Sequence, residues 1–185
     1  RTVRALTDYD RELNVKVGSI TRIPAADASM DGVLAIGVLE YVEDKVPEAL
    51  AEVHRVLKPG GFFFAEVPIA NTLRQLLYIP LKKLEKALRG GKQATFSNYL
   101  FNRTELQRQL EEVGFEMTEV KPHELPEDDS HYGLYIDFKF LRGSEPYKLN
   151  ALGRIVKGVA NAISPWIAST GMVIVARKRA TKSNE

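Results

Sequence analysis

RVLKPGGFFFAEVP, Arg55 to Pro68, is the stretch on which the reading of this chain turns. Ahead of it, Val46, Ala49, Leu50, Val53, Val56 and Leu57 recur at helical spacing. Pro59, Gly60 and Gly61 end that stripe, since proline lacks the N–H a helix needs and glycine accepts the backbone angles of a helix stop. FFFAEVP then reads as a buried strand that finishes beside a carboxylate, Glu66. A helix delivered by a tight turn into a buried strand is the repeating step of a sheet with helices packed upon it.

Working outward, TVRALTDYD is strand-like and closes on Asp8 and Asp10, and LNVKVGSI alternates apolar and polar as a half-buried strand does. GVLAIGVLEYV, residues 32–42, predicts a fully buried strand running into a helix or turn. Downstream, Leu73, Leu76, Leu77, Leu81, Leu84 and Leu88 form a helical stripe divided near Pro80, and RGGKQ marks a loop. Asn102 and Glu105 make a capping box for RTELQRQLEEVG, with Gly114 as its stop. FEMTEVKP reads as a strand, HELPEDDSHYG as an acidic loop and LYIDFKFL as an alternating strand or extended segment. Leu149, Leu152, Ile155, Val156, Val159 and Ile163 predict a last helix, and GMVIVARK a closing strand. Strands alternating with helices of this length imply a mostly parallel α/β sheet.

The chain has 185 residues, 44% hydrophobic and 27% charged, with a net charge of +2, which suits one globular domain. No apolar run reaches the roughly 18 to 20 residues of a membrane span. With no cysteine, disulfides, thiolate metal sites and cysteine nucleophiles are excluded, and a cytoplasmic location is expected.

The stretch from Val15 to Pro68 resembles the class I S-adenosylmethionine-dependent methyltransferases, in particular the small-molecule, type 11-like group, whose pattern ends in R-V-L-K-P-G-G. LQRQLEEVGFEMTEV and SPWIASTGMVIVARK look like that group's last helix and final strands. The resemblance implies a Rossmann-like, doubly wound, mostly parallel sheet with an antiparallel strand near the C-terminus. It implies S-adenosylmethionine as cofactor and methyl transfer to a small-molecule acceptor, which the leucine stripe of 71–95 suggests is hydrophobic or lipid-like. A non-catalytic methyltransferase-like binding or partner subunit is the alternative. The group's acid followed by G-x-G-x-G is missing, since no two glycines stand two apart. An N-terminally truncated domain over residues 1–178, lacking the first strand and the glycine-rich loop, is therefore expected, with 179–185 as a disordered tail.

Carried over residue by residue, the resemblance makes Asp8 the ribose acceptor, with Asp10 as rival. Ser19 falls where the group has an adenine-binding Asp, and Ile20 supplies the next backbone N–H. Ala35, Ile36 and Gly37 fall at the methionine end of the cofactor, and Tyr41 replaces the His of a Glu-His pair that begins at Glu40. Tyr41 and Pro68 are expected to touch substrate. His54, His123 and His131 are the histidines able to act as bases, and Tyr41 and His131 are the catalytic candidates. No metal site is expected. Residues 71–95 and 123–166 are expected to form the lid and substrate insertions. Within the first, leucines beside Lys82, Lys83, Lys86 and Arg89 suit either an ordinary lid helix or a peripheral contact of 73–89 with an anionic membrane. Nucleic acid is not an expected partner.

Overall fold

The computed structural model describes residues 15–88, 99–125 and 127–180. Its sheet holds β1 (Met30–Ile36), β2 (Leu57–Pro68), β3 (Phe115–His123) and β4 (Gly171–Lys178), in the spatial order β1-β2-β4-β3. β2 runs parallel to β1, whereas β4 lies antiparallel between β2 and β3. Three strands thus point one way and the closing strand points back, the α/β arrangement expected.

Helix α1 (Val46–Val56) and helix α3 (Arg103–Val113) cover one face of this sheet. Leu50 and Val53 of α1, Leu106 and Leu110 of α3, and Phe63, Phe115, Met172 and Ile174 of the strands form one buried cluster. Burying a side chain of that size contributes about 1.5–3 kcal/mol. At the start of α3, Asn102 Oδ1 accepts from the N–H groups of Thr104 and Glu105, and Gly114 ends the helix at φ 104°. The cap is half of the expected box, because the Glu105 carboxylate turns to Arg108 and Gln109 instead.

The Pro-Gly-Gly turn interrupts the β1–β2 ladder, whose register shifts between Met30↔Leu57 and Gly32↔Phe62. Gly60 sits at φ 77°, a left-handed angle that favours glycine. A Cβ on Gly61 would lie 2.9 Å from the Lys58 carbonyl oxygen and 3.0 Å from that of Asp31. Ahead of β1, Arg55 holds the backbone of residues 23–25 against α1 by donating to the carbonyls of Ile23 and Ala25, while Glu52 accepts from Ile23 N.

Four expectations are corrected. Residues 15–18 form no strand, and Val17 is fully exposed, because among the described residues the free edge of β1 pairs with nothing. β1 is not buried on both faces: Leu34 and Ile36 are 65% and 57% exposed, since α1 and α3 lie on the same side. LYIDFKFL is no strand but helix α4 (Tyr132–Asp137) followed by a short turn at Lys139–Leu141. Leu134, Tyr135, Phe138 and Leu141 pack together there, a spacing of one, three and three that belongs to helix, not strand. Finally, helix α5 (Ala151–Ile163) exists as expected, yet Leu152, Ile155, Val159 and Ile163 point outward, while Gly153 and Ala160 face in. Close approach explains the inversion: a Cβ on Gly153 would lie 2.7 Å from the Leu141 carbonyl oxygen.

Residues 72–88 are helical throughout, a π-helical stretch at Arg74–Tyr78 passing directly into helix α2 (Ile79–Leu88), so the segment is not divided at Pro80 but changes its winding just before it. RGGKQ and the tail from 181 lie outside the described residues.

Gly61→Ala should lower stability by about 1–3 kcal/mol, because backbone atoms cannot make room. Gly158→Ala, where nothing lies within 4 Å, should raise it by about 0.5–1 kcal/mol. Urea denaturation of both variants checks the pair.

Candidate active site

The ends of β1, β2 and β3 and the start of β4 meet around a cavity of about 570 Å³, lined on the β1 and β2 side by Gly37, Glu40, Tyr41, Glu66 and Pro68. Across from these stand Arg74, Tyr78, His123, Glu124, Tyr132 and Asp137. The position follows from the fold, since ligands of open α/β sheets lie beyond the carboxyl ends of the strands.

Glu66 and His123 form the central polar pair, with Nδ1 of His123 2.7 Å from a Glu66 carboxylate oxygen. They come from β2 and β3, and β4 separates them. In the row above Glu66, Pro68 pairs with Gly171 and Gly171 with His123, so the strand between carries no side chain at that point. With Nδ1 held by the carboxylate, Nε2 is the nitrogen left to a substrate.

Arg74 and Asp137 make a second, deeply buried pair at 2.7 Å. The Arg74 guanidinium also donates to the Ile69 carbonyl, and Asn71 Oδ1 accepts from Arg74 N. Asn71 Nδ2 donates to the carbonyls of Ala168 and Ser169, joining the loop after β2 to the loop before β4. Glu124 is fully engaged: one oxygen accepts from Thr170 N and Oγ1, the other from Tyr132 N. Glu40 differs. It is only 7% exposed, and its Oε2 has no hydrogen-bond partner.

Of the residues nominated from sequence, Gly37, Tyr41 and Pro68 line the cavity. Gly37 closes β1 at φ 63°, where a Cβ would meet Glu40 Oε1 at 3.6 Å. Ala35 is buried in the core and Ile36 points to the open sheet face. Ser19 bonds Thr21 in an exposed turn, and Ile20 packs on the main cluster; neither borders the cavity. Asp8 and Asp10 lie outside the described residues. His131 is 1% exposed and caps α4, accepting from Leu134 N at Nδ1, while its Nε2 has no partner. His54 stacks edge-on against Phe115, far from the cavity in the fold. The sequence named His123 as a possible base but not its pairing with Glu66, and the Arg74–Asp137 pair escaped it because the segment carrying Asp137 reads as extended and is helical.

Residues 2–65 match the family model described as a methyltransferase domain. A probable S-adenosylmethionine-dependent methyltransferase of Mycolicibacterium smegmatis is 29% identical over 58% of this chain and 37% of its own length. A malonyl-[acyl-carrier protein] O-methyltransferase of Serratia marcescens is 37% identical over 32% of this chain and 23% of its own. The matches thus span well under half of each curated relative. Among solved structures, a chain of the complex between the Haloferax volcanii Trm112 methyltransferase activator and a methyltransferase superposes with a TM-score of 0.60 at 18% identity, over 98% of this chain and 67% of that one. A SAM-dependent methyltransferase of Methanosarcina mazei gives 0.55 at 18% identity, over 90% and 67%. Over residues 2–65 the chain is thus similar to methyltransferase domains, and its fold is that of S-adenosylmethionine-dependent methyltransferases.

Burial pushes the His131 imidazole below its ordinary range, against the pull of Glu124, and burial does the same to His54. The unfolded chain therefore takes up more protons as pH falls through about 6.5, so the stability these groups contribute is present above that value and lost below it. His131→Asn, which retains a helix cap, should flatten the fall in melting temperature between about pH 7.5 and 5.5.

Proposed function

We propose that the protein transfers the methyl group of S-adenosylmethionine to a nucleophilic oxygen or nitrogen of a small, largely apolar acceptor, with His123 as general base. The observation that carries this reading is the Glu66–His123 pair at 2.7 Å inside the cavity at the strand ends. Methyl transfer to a hydroxyl or ammonium group requires the acceptor's proton to leave, and a positioned imidazole does this work near neutral pH. Glu66 fixes the orientation of the His123 ring. Tyr41, Tyr78, Tyr132 and Ile136 supply apolar walls, and Pro68 borders the acceptor.

The residues present suit the cofactor's methionine end. Gly37 adds no side chain at the close of β1, and the unpartnered Glu40 oxygen is placed to accept from an ammonium group. The ribose and adenine contacts are assigned to Asp8 and to Ser19 with Ile20 on the resemblance alone; Ala35 and Ile36 would serve through their backbone. When bound, S-adenosylmethionine supplies an electrophilic methyl group. The protein supplies orientation, exclusion of water and the proton acceptor.

Calorimetric titration of S-adenosylmethionine into the natural full-length protein tests the reading. Binding should be weakened about tenfold or more by Glu40→Gln, as for a lost hydrogen bond to a charged group, and left intact by His123→Gln. With a panel of phenols, amines and hydroxylated lipids, His123→Gln should lower kcat about 10²- to 10⁴-fold. A wild-type protein that binds no S-adenosylmethionine would sink the proposal and leave a binding subunit.

A further inference from the structure

The outward faces of α2 and α5 bear a load of apolar side chains that the fold does not use. Leu76, Leu77, Leu81, Leu84 and Leu88 are 48% to 78% exposed, and Leu152, Ile155, Val159 and Ile163 are 51% to 71% exposed. Each set falls at helical spacing on one side of its helix. The two are linked across the surface: the Tyr78 ring lies 6.3 Å from Phe138, and Phe138 lies 6.0 Å from the exposed Phe140. Asn150, the cap of α5, donates to the Phe140 carbonyl at 2.7 Å. Contiguous exposed apolar surface of this extent marks an interaction site on a soluble protein.

Charge indicates the partner. Residues 75–88, 139–142 and 151–163 contain seven basic residues and one acidic residue, Glu85. Helix α5 has Arg154 and Lys157 and no acid, and both donate to backbone carbonyls of neighbouring loops. A second copy laid on this face would set cations against cations. Nucleic acid would meet aliphatic side chains where stacking aromatics are needed. An anionic bilayer satisfies both properties, taking leucine and isoleucine into the acyl boundary and cations at the headgroups. No helix among the described residues is long and apolar enough to cross a membrane, so the contact lies in the plane of the surface.

We infer that α2, the Phe140 turn and α5 together dock the protein on an anionic lipid surface. Tyr78, Tyr132 and Ile136 line the cavity and lie on or beside these elements, so docking sets the cavity mouth next to the lipid. That orientation, though not the docking, rests on reading the cavity as the acceptor site.

Co-sedimentation of the 185-residue chain with vesicles of phosphatidylcholine, alone or with about one third phosphatidylglycerol, tests the inference. Binding is expected to the anionic vesicles and to fall steeply with added salt. Leu84→Glu combined with Ile155→Glu should weaken partitioning at least about tenfold, and Lys83→Ala about fivefold, with circular dichroism unchanged. The inference is overturned by no binding to anionic vesicles, by equal binding to both vesicle types, or by a double variant that binds as the wild type does. It is overturned too if sedimentation velocity shows a dimer that Leu84→Glu with Ile155→Glu dissolves. Loss of S-adenosylmethionine binding with vesicle binding retained would remove the cavity reading and leave the docking.

Discussion

Strand β2 is hydrogen-bonded on both edges, to β1 running with it and to β4 running against it. That double pairing fixes its register, and the register decides which side chains face the core. Phe63, Ala65 and Val67 turn inward under α1 and α3, which leaves Glu66 and Pro68 at the site. A slip of one residue would exchange the two sets and bury the carboxylate. The constraint reaches further along the chain. Ile69 N bonds the Thr170 carbonyl, and Asn71 and Arg74 gather the loop before β4 and helix α4 around the end of β2.

The polar groups of the cavity divide into two kinds. Arg74, Asp137 and Glu124 have their hydrogen-bonding capacity taken up by the fold. A buried pair such as Arg74–Asp137 gives a rigid wall more surely than net stability, since desolvation offsets much of the attraction. Glu40 and His123 are different, each holding an atom in reserve. This separation between groups that hold the wall and groups left to a ligand is what distinguishes a binding cavity from a packing defect.

Much of the fold was legible because its signals are local. The Asn102 cap and the Gly114 stop each act within a few residues and stand where the sequence places them, while the helix ahead of Pro59–Gly61 ends earlier than that turn, at Val56, with Leu57 already extended. Direction was harder to read. The stripe on α5 was visible, but periodicity shows only that a helix is two-sided, and the close contact at Gly153 turned the smaller side inward. In LYIDFKFL, four apolar residues at alternate positions suggested a strand, until packing against Leu149 and Ala168 selected the helical set. Of the residues lining the cavity, Gly37, Tyr41 and Pro68 were legible as strand ends. Glu66 and His123 are 57 residues apart, and only the antiparallel entry of β4 between their strands brings them together.

The Glu124–Thr170 contact spans 46 residues and closes that excursion at its base. Everything between, including α4 and α5, leaves the sheet and returns to it here, tied besides to the segment after β2 by Arg74–Asp137 and Asn71, while His123 and Gly171 stay paired outside the loop. The excursion is therefore a cassette. Away from Asp137, Ala168 and Ser169, its interior can lengthen, shorten or be replaced by drift or by grafting without disturbing the strands beneath, so the far wall of the cavity can diversify faster than the sheet that carries it.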